Sequence, residues 1–185
     1  MEQGIGDVRG ILGNELDVLC DIVADLSDAE LILASGCVGW RVADVLVHVR
    51  MGAEALFAGL ASPASDEPDR DFVSYWRDWP AQQAPGYSDV RATWAMAAVY
   101  SSGDGLRAHF GDVVRAAARA ARDAGSGIVR FQEHVLETDD LLAIWVVEFA
   151  LHHLDLVVEM SERPLPTAGA LALVLNQALR ARLRG

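Results

Sequence analysis

The segment 141–151 is apolar at every position except Glu148, and two histidines, His152 and His153, follow it directly. A helix that is apolar on all sides is a buried one, so this stretch requires other elements to enclose it. A carboxylate carried into such surroundings is costly unless it is paired or coordinates a metal. Glu148 and His152 stand four residues apart and so emerge from one face of a helix, one turn from each other. Trp145 and Asp155 continue the same stripe.

The rest of the chain reads as the enclosing helices. Val8, Ile11, Leu12, Leu16, Leu19, Ile22, Val23 and Leu26 recur at helical spacing, with Glu15, Asp17, Asp21 and Asp25 between them. The segment 34–39 breaks that pattern as a loop, and a second helix is predicted over 41–60, stopped near Ser62-Pro63. Residues 62–87 hold four of the six prolines and read as a long irregular crossover. Its Phe72, Tyr75, Trp76 and Trp79 suit a packed cover, as a lid over a site or as packing on the outside. A third helical region spans 88–124 with a break or kink near 101–105, and 128–135 alternates weakly enough to be extended. Thr138 is the expected N-cap of a fourth helix over 139–161, and Pro164 and Pro166 separate it from a last helix over 167–183.

Four long helices, a crossover between the second and third, and one further helix make an all-α four-helix bundle the expected fold. A length of 185 residues suits one domain, 1–185. The formal net charge of -12 argues against nucleic acid and against anionic membrane surfaces. The basic residues at 180–184 are expected to complement a helix C-terminus. No apolar run is long enough to span a bilayer and no leader is evident, so the expected compartment is the cytoplasm. Cys20 and Cys37 lack metal-ribbon spacing and are expected as reduced thiols, Cys20 in the core.

A third donor for Glu148 and His152 must come from another helix. His48 lies among Val45, Leu46, Val47 and Val49, again a polar ring in an apolar setting. Together His48, Glu148 and His152 would form a two-histidine, one-carboxylate site with open coordination positions. Such donors suit one divalent ion, whether zinc, nickel, iron or manganese, and do not choose among them. Taken singly, a histidine on an apolar helix is more often a hydrogen-bonded core residue than a ligand. A Glu-x-x-x-His pair also arises often without an ion. His153 points away from His152 and reads as structural, whereas His109 and His134 read as solvent-facing. Asp155 reads either as a partner that orients a ligand or as a capping or ion-pairing residue.

The segment 35–48, Ser-Gly-Cys-Val-Gly-Trp-Arg-Val-Ala-Asp-Val-Leu-Val-His, resembles the first motif of the mycothiol-dependent maleylpyruvate isomerase N-terminal domain family. That family has a Cys-Pro-Gly-Trp-like turn followed by a helix of the type Val-x-Asp-Val-Leu-x-His. The segment 148–156, Glu-Phe-Ala-Leu-His-His-Leu-Asp-Leu, resembles its second motif. The resemblance implies a DinB-like metal-binding four-helix bundle, with His48, Glu148 and His152 as ligands, usually for zinc. It also implies that Cys37 and Trp40 belong to the turn that positions the second helix. Val38 and Arg41 stand where the family has Pro and Ser/Thr, which weakens the expected N-cap. The isomerases carry a further C-terminal domain, and the expectation here is a single domain without it.

The expected function is that of a metal-dependent, thiol-using enzyme of the mycothiol S-transferase or thiol-assisted isomerase type. Its partners would be a small electrophilic substrate and a low-molecular-weight thiol, with mycothiol as cosubstrate. A metal-dependent hydrolase and a non-enzymatic metal- or ligand-binding bundle, acting through a partner or as a homodimer by apolar faces of the first or last helix, are the alternatives.

Overall fold

The computed structural model describes residues 7–82 and 89–183. In chain order these form α1 (Val8–Ala24), α2 (Asp28–Leu31), α3 (Val42–Leu60), α4 (Phe72–Gln82), α5 (Asp89–Ala97) and α6 (Gly103–Asp123). A hairpin of β1 (Ile128–Phe131) and β2 (His134–Glu137) follows, then α7 (Thr138–Val157) and α8 (Ala168–Leu183). The protein is mostly helical, and no helix among the described residues is long and apolar enough to cross a membrane.

Both α1 and α3 pack against α6 and against α7. The apolar stripe of α1 explains its side of this packing: Leu12, Leu16 and Leu19 are fully enclosed. Alanines 117, 118 and 121 of α6 are buried as well, and side chains this small let neighbouring helices approach closely. Helix α7 is buried nearly all round, as its composition requires, from Leu141 to Ala150 with Glu148 excepted. Helix α8 lies on α7, with further contacts to α4 and α1.

Local chemistry sets the boundaries. Asp7 caps α1 by accepting from the Gly10 amide at 3.0 Å. The first apolar stripe runs to Leu26, yet α1 stops at Ala24, because Ser27 and Glu30 form a capping box that starts α2. Arg41 offers α3 no side-chain cap, as its identity predicted; Asp44 instead reaches back to accept from the Arg41 amide at 2.9 Å.

Several expectations are corrected. The stretch 62–87 is not irregular throughout, since it contains α4; residues 83–87 and the expected helix start at Ser88 lie outside the described residues. Trp79 falls outside the described side chains. The expected break near 101–105, by contrast, is present: the third helical region is interrupted there, and Ser102 starts α6 by accepting from the Gly105 amide at 3.2 Å. Thr138 is the first helical residue of α7 and not its N-cap: its hydroxyl donates to the Gly127 carbonyl at 3.0 Å, closing the base of the hairpin. Helix α7 ends at Val157, short of 161. Of the basic residues at 180–184, only Arg180 has a described side chain.

Two fully buried polar side chains of the core are paired with each other. His153 is fully buried, as is Glu15 on α1, and His153 Nδ1 lies 2.6 Å from Glu15 Oε1. His153 Nε2 donates to the Pro164 carbonyl at 3.0 Å, and Glu15 Oε2 accepts from the Thr167 amide at 2.7 Å. This chain of contacts pins α1, α7 and the entry to α8 together, which makes His153 structural. Cys20 is buried, and burial pushes its thiol up to about 11, so it behaves as a core residue.

Two predictions follow from this packing. Glu15→Ala strands His153 in the core and is expected to cost about 3–5 kcal/mol in urea denaturation; a loss below about 1 kcal/mol would show that the pair does not hold these helices. Asp140 accepts from the Phe72 amide, but burial raises its carboxyl from 3.8 to about 6. The folded state therefore binds this proton more tightly than the unfolded chain, and stability falls as pH rises from about 4 to 6. Asp140→Asn keeps the acceptor and is expected to gain about 1–2 kcal/mol at pH 7, a gain that disappears near pH 4. An equal gain at both pH values in thermal melts would assign it to something other than the buried charge.

Candidate metal centre

His48 is held by the apolar face of α3, where Val45, Leu46, Val47 and Val49 are buried around it. Its ring lies 5.1 Å from that of Trp40 and 4.6 Å from that of His152, centroid to centroid, the latter nearly edge-on. Trp40 is itself buried, so the turn before α3 buttresses the His48 ring. From α7, Glu148 and His152 face the same point. His48 Nε2 and His152 Nε2 each lie 3.2 Å from Glu148 Oε1. The three donor atoms fall within 4.8 Å of one another and form a group able to hold a metal ion.

Behind His152, its Nδ1 lies 3.1 Å from Asp155 Oδ2. In that contact Nδ1–H donates to Asp155, which leaves Nε2 as the ring atom that faces Glu148 and His48. The same Asp155 oxygen accepts from the Cys37 thiol at 3.1 Å, and Cys37 Sγ lies 3.7 Å from His152 Nδ1. The loop reaches this depth because residue 36 is glycine. Its amide donates to the Asp155 carbonyl at 2.8 Å, and a Cβ there would fall 2.9 Å from the Asp155 Cα.

The electrostatics favour a cation. Burial works against charge on His152, but Asp155, Cys37 and Glu148 outweigh it and hold the ring protonated up to about 11. Burial likewise opposes the Glu148 carboxylate, and the hydrogen bonds from His152 and His48 overcome it, keeping the group well below the usual carboxylate range. With its Nδ1–H committed to Asp155, a neutral His152 would turn a lone pair against a carboxylate oxygen. A shared cation resolves that clash as well as a proton does, so two imidazoles and one carboxylate fit a zinc-like divalent ion.

A cavity of about 170 Å³ opens on His48 and Glu148. Met51, Gly52 and Ala55 of α3 form one wall, Ile144 and Trp145 of α7 another, and Tyr75 and Trp76 of α4 a third. Trp145 is stacked on Phe149. Burial pushes the Tyr75 phenol up, with the Glu148 charge adding to it, so the hydroxyl stays protonated and donates to Gln132 Oε1 at 2.7 Å. Gln132 and Glu133 form the two-residue hairpin turn with φ of 47° and 68°. Such a turn ordinarily takes Asn-Gly, and a left-handed conformation costs about 1–2 kcal/mol for a residue with a Cβ. The strain sits where it presents Gln132 to the cavity.

The three residues expected as ligands are thus brought together. Asp155 takes the orienting role, and His153 is structural. His109 is exposed, with Nδ1 2.8 Å from the Tyr100 hydroxyl. His134 is corrected: it is half-buried, 3.6 Å from Asp69, because its strand packs under α4 and the preceding loop. The direct contact of Cys37 with Asp155 and the place of Gln132 were not foreseen. The Gly36-Cys37 pair was the only trace of the first, and nothing in the sequence signalled the second.

Helices of this arrangement carrying such a donor cluster define a DinB-like protein. The chain belongs to the mycothiol maleylpyruvate isomerase N-terminal domain family, whose model matches residues 12–157. Comparisons with curated proteins and with solved structures gave no match.

Asp155→Ala is expected to weaken zinc binding by about 10–100-fold while leaving one site per chain at saturating metal. Unchanged affinity in a competitive chelator titration would remove Asp155 from the site.

Proposed function

We propose that the protein is a metal-dependent, thiol-using enzyme in which His48 Nε2, Glu148 Oε1 and His152 Nε2 hold one divalent ion, zinc by preference. The observation that carries this reading is the convergence of those three donors, with His48 and Glu148 also lining an aromatic-walled cavity. Residues 1–185 act as one metal-binding helical domain, a four-helix bundle of α1, α3, α6 and α7 with α4 and α5 in the crossover.

When bound, the ion supplies positive charge that favours the thiolate of a small thiol near neutral pH. Family membership points to mycothiol as that thiol, and to S-transfer or a thiol-assisted isomerisation of a small electrophile. The protein's own groups prepare the site for this chemistry. Asp155 orients His152 through Nδ1, and Trp40 supports His48. Tyr75 and Trp76 narrow the cavity and keep water from a thiolate formed there.

Elemental analysis of the purified protein is expected to find about one equivalent of a transition metal per chain, lost in His48→Ala, Glu148→Ala and His152→Ala with most helicity kept. Turnover of electrophiles should then require added mycothiol. Metal-dependent turnover without thiol would make the protein a hydrolase that activates water. No metal uptake, even from excess zinc or nickel, would leave a ligand-binding bundle and end the enzymatic reading.

A further inference from the structure

The cavity beside the proposed ligands differs sharply in charge from the rest of the molecule. The chain has 15 basic residues and 27 acidic ones, yet among the described residues that line the cavity there is no Arg, and Glu148 is the one carboxylate. The segment 83–88, which joins α4 to α5, contains no basic residue either. Apart from His48 and Glu148, the walls are apolar or uncharged. Met51, Ala55, Trp76, Ile144 and Trp145 supply hydrocarbon and aromatic surface, while Thr93 and Gln132 supply neutral polar groups.

Charge arithmetic then limits what can sit there. A divalent ion on two neutral imidazoles and one carboxylate leaves the site with one net positive charge, and a single thiolate cancels it. A carboxylate entering beside that thiolate would find no cation, and an unpaired charge in an apolar enclosure is strongly disfavoured. The size is limiting too. A volume of about 170 Å³ is close to the roughly 150 Å³ apolar cavity known to bind benzene. Donors remain for one uncharged acceptor. Gln132 Oε1 already accepts from Tyr75, so its amide N–H groups are the part left to donate.

Resting on the metal-and-thiol reading above, we propose that this cavity binds an uncharged, ring-sized organic molecule bearing a hydrogen-bond acceptor such as a carbonyl, and that it rejects carboxylates. The hydrocarbon walls hold the ring, and the Gln132 amide on the hairpin turn selects the acceptor. Exclusion of carboxylates follows from the missing cation.

The test is a set of binding titrations followed by NMR, on zinc-loaded protein with saturating 2-mercaptoethanol, using acetophenone, ethylbenzene and benzoate as probes. Acetophenone should bind saturably at one site, at least about 10-fold more tightly than benzoate and more tightly than ethylbenzene. Ala55→Phe, which fills the cavity away from the ligands, should lose acetophenone while keeping its zinc; Met51→Phe serves if that variant does not fold. The proposal falls if benzoate binds as well as acetophenone, if neither ring binds, or if the filled variant binds acetophenone unchanged. Should the protein take up no zinc, the metal reading fails separately, and the same titrations on the metal-free chain still decide the cavity's preference.

Discussion

Everything in this molecule is arranged around the cost of burying one carboxylate. Helix α7 has almost no polar surface with which to meet water, so it must lie at the centre, and Glu148 goes in with it. Stranding that charge would cost more than most single interactions in a domain can return. Two imidazoles within 3.2 Å of one carboxylate oxygen meet the cost. They also bring together a group of donors able to hold a cation.

The supporting contacts show how a local demand spreads through the fold. Asp155 orients His152, and the loop before α3 reaches Asp155 only because Gly36 has no Cβ. That same loop sets Trp40 against His48. On the far side of α7, the next residue, His153, meets Glu15 of α1 in a second buried polar pair. Adjacent histidines therefore serve opposite faces: His152 looks toward the candidate centre and His153 holds α1 and the approach to α8. One helix is fastened on both sides by polar contacts that apolar packing alone would not specify.

The cavity belongs to the same design. It exists where α4 and the strained hairpin turn stand off from α3 and α7, leaving His48 and Glu148 as one wall. Gly52 contributes to its narrowness, since a Cβ there would press on Trp145 at 2.8 Å. Aromatic walls and the scarcity of charge exclude water, which is what a reactive anion near the donor cluster would need.

By itself the sequence determined that the protein is largely helical, that α7 is its buried centre, and that His48, Glu148 and His152 are the residues to watch. Those features are local: helical periodicity, the spacing of four between Glu148 and His152, and a polar residue in an apolar run. The break between α5 and α6 was legible in part, because serines and glycines interrupt the pattern at 101–105. Helix α4 was not, since charge and proline obscured its apolar face. Nor could the sequence locate Cys37 against Asp155 or Gln132 against Tyr75. Each pair joins residues that are distant in the chain, 118 and 57 positions apart. Distance along the chain carries no record of such meetings. Packing brings the loop down on α7 and the hairpin up to α4, and only the tertiary structure decides which side chains then touch.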